Sequence, residues 1–127
     1  MPHRILVIDD DPTVLKMLDH YLGDTLRYQV TMAPSGEEAL ECAMQGHYDL
    51  CIMDVRMPGL SGSETYTRLK NIHPQIEAIF FTGDSEFEND LDFLRFSLPK
   101  DRVITKPVEN LSVLTRLIIS ILGPPTP

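Results

Sequence analysis

The chain has 127 residues, 43% hydrophobic and 24% charged, with a formal net charge of −8 and two cysteines. These are values for one globular domain that can bury a core, and no apolar run reaches membrane-spanning length. The acid excess argues against nucleic acid as a direct partner, because binding there depends on Lys and Arg neutralising phosphates; it suits a divalent cation or a basic partner surface. Met-Pro-His-Arg leads straight into a strand-like segment without a signal peptide, so a cytoplasmic location is expected. Cys42 and Cys51 have no Cys or His nearby at metal-ligand spacing, and His3, His20, His47 and His73 form no local ligand pair.

Ile5 to Ile8 is an apolar run of strand length that ends in Asp9, Asp10 and Asp11. Pro12 follows, so Asp11 can cap a helix that carries Val14, Leu15, Leu18, Tyr21 and Leu22 at helical spacing. Gln29 to Ala33 is a second, less apolar strand. Ser35 and Glu38 have capping-box spacing and open a helix that turns Ala39, Leu40 and Ala43 inward and stops at Gly46. The stretch YDLCIMDVRMPGLSG, Tyr48 to Gly62, comes next. Its run Leu50 to Met53 reads as a strand buried on both faces, with Asp54 at the carboxyl end and a turn at Met57-Pro58-Gly59.

Ser61 and Glu64 repeat the capping spacing for a third helix with Tyr66, Leu69 and Ile72 on its apolar side, ended by His73-Pro74. Ala78 to Phe81 is a fourth strand, ending at Thr82 before Gly83-Asp84. Ser85 and Glu88 then start a fourth helix, with Phe87, Leu91, Leu94 and Leu98 inward as far as Pro99. Val103 to Thr105 is a short fifth strand before Lys106-Pro107, and a last helix runs from about Asn110 to Leu122. Strict alternation of this kind predicts an α/β fold: a flavodoxin-like, doubly wound, five-stranded parallel sheet with five helices in three αβα layers. Residues 1–122 form the domain, and the Pro-rich 123–127 reads as a tail or linker stub.

Parallel strands bring the residues that follow them to one rim: Asp9 and Asp10, Asp54, Thr82 and Lys106. Clustered acids with one Lys repel each other unless a cation intervenes, and Mg²⁺ takes one or two carboxylates while leaving positions for phosphate oxygens. A carboxylate can itself be the nucleophile in phosphoryl transfer, and Asp54 is central on the rim.

From Arg4 to Leu122 the chain resembles the response-regulator receiver domains of two-component signalling, including the chemotaxis receivers. The resemblance rests on the acids of VIDDD, the YDLCIMDVRMPGLSG context, the Thr of IFFTG and the Lys-Pro after the fifth strand. It implies that Asp54 is the phosphoacceptor and that Asp9, Asp10, Asp54 and the backbone carbonyl of Arg56 hold Mg²⁺. Thr82 would follow the phosphoryl group, and Lys106 would pair with it beside a cis bond to Pro107. The implied partners are a sensor histidine kinase or a histidine phosphotransfer protein, with an output domain or effector downstream. The domain would be a switch that phosphorylates and dephosphorylates itself, not an enzyme acting on other substrates.

Two features depart from the family pattern. Receivers commonly carry Tyr or Phe three residues before the Lys, and here that position is Val103, which has no ring to swing inward. The segment from Thr82 to Lys106 is also slightly long and lacks a Gly-Ala pair, and Glu86, Glu88, Asp90 and Asp92 make the fourth helix acidic at its start. Arg56 and Asp84 occupy the variable positions flanking the site and are expected to pair across its mouth. The broad apolar arc of the last helix, with Ile119 outside it, points to a dimer or effector contact through the fourth and fifth helices.

Three other readings use the same residues. A haloacid-dehalogenase-like phosphatase would make Asp9 the nucleophile and Asp11 the acid/base, but it leaves Asp54 unemployed and offers only Glu109 as a further metal acid. A flavodoxin-type flavin carrier would set its phosphate against three Asp. A receiver-like module that binds partners without phosphorylation would normally have lost an acid or the Lys.

Overall fold

The computed structural model describes residues 3–83, 91–106 and 111–124, leaving aside the side chains of Leu91 and Asp92. Five strands, Arg4–Ile8 (β1), Gln29–Ala33 (β2), Leu50–Asp54 (β3), Glu77–Thr82 (β4) and Val103–Thr105 (β5), pair in parallel in the order β2-β1-β3-β4-β5. Between and after them lie the helices Pro12–Leu18 (α1), Gly36–Gln45 (α2), Gly62–Ile72 (α3), Leu91–Arg95 (α4) and Leu111–Leu122 (α5). Among the described residues, no helix is long and apolar enough to cross a membrane.

The sheet separates two cores. Cys51 and Met53 of β3, with Ala78 and Phe80 of β4, pack on α2, α3 and α4. Leu50 and Ile52, with Ile79 and Phe81, face α1 and α5. This alternation explains why β3 reads as an unbroken apolar run: every residue in it is buried on one face or the other. β2 is an edge strand, so Met32 stays 42% exposed and the strand's sequence signal is weaker.

Three of the predicted caps close as expected. Thr13 N–H donates to Asp11 Oδ1 at 2.9 Å, Glu38 N–H to Ser35 Oγ at 3.1 Å and Glu64 N–H to Ser61 Oγ at 3.2 Å.

Helical spacing misleads in four places. After Leu18 the first helix widens into a π-helical stretch, Asp19–Thr25, in which Leu26 N–H donates to Tyr21 O across five residues. Leu22 stays buried through the widening, so the apolar pattern gives no sign of it. The described part of α4 ends at Arg95 and not at Pro99. Phe93 is its buried residue, while Leu94, expected inward, is 52% exposed. Ile72 is exposed at the end of α3, beyond Leu69, which does reach the core. In α5 only Leu114 and Ile118 are fully buried, and Val113, expected inward, is exposed along with Ile119. Ser85, Phe87 and Glu88 lie outside the described residues.

Candidate functional site

Register sets the site. Ile8 pairs with Met53, so Asp9 and Asp54 emerge side by side from β1 and β3. Asp54 pairs with Phe81 and Thr82 with Thr105, which places Thr82 and Lys106 one step further along the same edge. Lys106 N–H donates to Thr82 O at 2.7 Å and holds the ends of β4 and β5 together.

Asp9, Asp10 and Asp54 each offer a carboxylate oxygen within 4.8 Å of the others. Asp9 is 2% exposed, Asp54 9% and Thr82 1%, whereas Asp10 is open to solvent. Both oxygens of Asp9 are engaged: Oδ2 accepts from Lys106 Nζ at 2.8 Å and Oδ1 from the Asp11 N–H at 2.9 Å. Asp54 is held more loosely, with Oδ2 3.4 Å from Lys106 Nζ and Oδ1 3.4 Å from the Arg56 N–H. Asp9 is therefore anchored by short bonds, and Asp54 keeps its lone pairs more available.

Burial raises the pKa of Asp54; Lys106 offsets part of this, and the charge of Asp9 adds to the rise. For Lys106, burial alone would lower the pKa, but its bond and charge interaction with Asp9, and then with Asp54, raise it overall. The ammonium stays charged and, among the described residues, pairs with both Asp9 and Asp54. The donor set is hard oxygen, closely grouped, partly buried and in excess negative charge, and these residues fit Mg²⁺.

The loop after β3 gives Asp54 its setting. Gly59 has φ +78° in the Met57-Pro58-Gly59 turn. Gly62 donates its N–H to Val55 O at 2.8 Å, and a Cβ there would stand 2.5 Å from Asp54 O and 2.8 Å from Val55 Cα. Only a glycine lets α3 begin this close to the end of β3. The sequence reading overlooked Gly62; its one signal was a glycine directly after the cap Ser61.

Asp11, as expected, is a helix cap. Arg56 contributes its N–H to Asp54. Asp84, Glu86, Glu88, Asp90, Pro107 and Glu109 lie outside the described residues, as does the side chain of Asp92. The histidines are fasteners away from the site. His3 Nδ1 and His47 Nε2 lie 3.9 Å and 3.3 Å from the carboxylate of Asp49, and His73 Nε2 is 2.7 Å and 2.9 Å from the carbonyl oxygens of Ala43 and Gly46.

A family model described as the response regulator receiver domain matches residues 5–118. Among curated relatives, the chain is 42% identical over 83 residues to the transcriptional activator protein ExaE of Pseudomonas putida, covering 65% of this chain and 39% of the relative. It is 31% identical over 114 residues to the transcriptional regulatory protein DltR of Streptococcus agalactiae, covering 90% of this chain and 50% of the relative. The chain thus spans about half the length, or less, of these relatives. Among solved structures, the response regulator protein TrrA of Thermotoga maritima in complex with Mg²⁺-BeF matches with TM-score 0.81 and 30% identity, over 94% of this chain and 99% of that one. The chemotaxis protein CheY4 of Vibrio cholerae shares the fold, with TM-score 0.84 and 24% identity over 96% of this chain and all of its own.

Proposed function

This chain belongs to the response regulator receiver domain family of two-component signalling, and we propose that within it Asp54 is the phosphoacceptor. Receivers are signalling domains and not classical enzymes. The observation that carries the assignment is the contrast between the two buried acids. Asp9 has both oxygens in short hydrogen bonds, while the contacts that Asp54, in the centre of the rim, makes among the described residues are long. The same contrast disfavours Asp9 as a nucleophile.

In the proposed step an oxygen of Asp54 attacks the phosphorus of a phosphohistidine on a sensor kinase or phosphotransfer protein. The O–P bond forms as the P–N bond breaks, and the imidazole leaves with the electron pair and takes a proton from solvent. Asp9, Asp10, Asp54 and the carbonyl of Arg56 would hold Mg²⁺, which when bound would supply positive charge against the phosphoryl oxygens. Asp9 anchors Lys106, whose ammonium faces the transferred group, and the Thr82 hydroxyl is drawn toward it afterwards. The Mg²⁺-BeF complex of TrrA supports the metal assignment. The likeness to ExaE, a transcriptional activator protein, and DltR, a transcriptional regulatory protein, supports a cytoplasmic role in which an output domain or effector reads the switch. Exposed Leu94, Val113 and Ile119 make a dimer through α4 and α5 the arrangement to look for.

Incubation with Mg²⁺ and acetyl phosphate should add one phosphoryl group by intact mass, and Asp54→Asn or removal of Mg²⁺ should abolish the gain. An unmodified wild type would sink the assignment.

A further inference from the structure

Four aromatic rings meet on the α3–α4 side of the site strand. Phe80 lies on β4 two residues before Thr82, on the same face of the sheet and about 7 Å along the strand. Its ring stacks on Phe96, with planes 6° apart and centroids at 6.0 Å, and it meets Phe93 and Tyr66 edge-on at 6.0 Å and 5.5 Å. Tyr66 and Phe96 also meet edge-on, at 4.7 Å. Phe80, Phe93 and Tyr66 are buried, whereas Phe96 is only half-buried.

Phe96 has somewhere to go. It and Tyr66 form part of the wall of a groove of about 670 Å³ between α3 and α4, lined also by Thr67, Lys70, Asn71 and Arg95. Its backbone sits just past the end of the described part of α4, in a turn closed by Phe96 N–H to Phe93 O at 3.0 Å and Ser97 N–H to Leu94 O at 3.3 Å. Ser97 there has φ +55°, the left-handed conformation that often ends a helix and that costs a non-glycine residue some energy. Val103, at the position where receivers commonly carry the moving aromatic, lies opposite Phe80 in register and packs against this same core. Phe96 and Val103 both pack against this core, and of the two only Phe96 brings a ring.

We propose that Phe96 is the moving aromatic of this receiver: when Thr82 is drawn to the phosphoryl group, the end of β4 shifts Phe80, and Phe96 leaves its stack for the α3–α4 groove. The inference rests on Asp54 being the phosphoacceptor. Close-packed rings transmit a small strand displacement because they cannot absorb it, and the half-buried ring beside an open groove is the one free to yield. The signal then leaves through the α3–α4 surface and not through β5.

The chain contains no tryptophan, so Phe96→Trp creates a single reporter. With phosphorylation verified by intact mass, its emission should shift to the red on adding Mg²⁺ and acetyl phosphate, and should not shift when Asp54→Asn is also present. In the unaltered protein, ring-to-ring nuclear Overhauser contacts between Phe96 and Phe80 should disappear on phosphorylation, and this measurement decides if the tryptophan disturbs the packing. Contacts retained in a protein whose mass shows the phosphoryl group would overturn the proposal. No mass gain would instead overturn the Asp54 assignment beneath it.

Discussion

Asp54 carries a charge that its surroundings oppose, and this has a consequence for stability that can be measured. Its pKa is raised first by burial, with Asp9 adding to the effect against the counter-pull of Lys106. A carboxyl raised in the folded state favours folding while protonated, below the unfolded carboxylate range, and that contribution is lost as pH rises through its folded pKa. At pH 7 without Mg²⁺ the ionised group is therefore a net cost. Asp54→Asn should then have the higher Tm at pH 7, with the difference shrinking as pH falls through the carboxylate range. A mutant less stable than wild type at pH 7 would mean that the Lys106 pairing outweighs burial. Among the site residues, the sequence made their identities legible because each stands directly after an apolar run. It could not show that Lys106 binds Asp9 more closely than Asp54, since that contact joins positions 97 residues apart and depends on side-chain placement.

At the scale of elements, the joint between β3 and α3 sets the position of Asp54. Ser61 caps α3, and Gly62 lies against the backbone of Asp54 and Val55. These two neighbours should respond differently to the same substitution. Ser61→Ala removes one cap bond, costs ~1 kcal/mol in urea unfolding and leaves the phosphorylation rate near wild type. Gly62→Ala forces a methyl against backbone that cannot step aside, costs about 1–3 kcal/mol and also slows phosphorylation by displacing Asp54. Equal effects of the two on rate would show that the close approach does not matter to the site. The strands and the caps were readable because their signals are local: apolar runs, and Ser or Asp three or two residues before the amide they bind. The π-helical widening after Leu18 was not, because an i, i+3, i+4 apolar pattern survives it. The inward face of α4 was not either, because Phe93 and Leu94 are adjacent, and the ring cluster around Phe80 decides which of them is buried.

For the whole molecule, the formal charge of −8 has its consequences at the carboxyl edge of the sheet, where Asp9, Asp10 and Asp54 cluster and Lys106 pairs with two of them. A cation that binds there and not to the unfolded chain stabilises by mass action, about 2.7 kcal/mol at 100 times its Kd. Mg²⁺ should raise Tm beyond what Na⁺ does at equal ionic strength, and Asp10→Asn, at the exposed edge of the cluster, should remove most of the gain. Equal stabilisation by both salts would reduce the cluster to a screened surface charge. The order β2-β1-β3-β4-β5 makes this edge a site at all, since it brings the ends of β1 and β3 together in the middle of the sheet. The alternation of elements predicts a parallel sheet with helices on both faces but not this strand order, and it gives no sign of the aromatic cluster, which is assembled from residues on β4, α3 and the end of α4.

The most direct test of the central claim is to locate the phosphoryl group. Phosphorylated protein reduced with borohydride, which converts an acyl-phosphorylated aspartate to homoserine, can be digested and sequenced by tandem mass spectrometry. The account predicts homoserine at position 54 and nowhere else; homoserine at position 9 would contradict it.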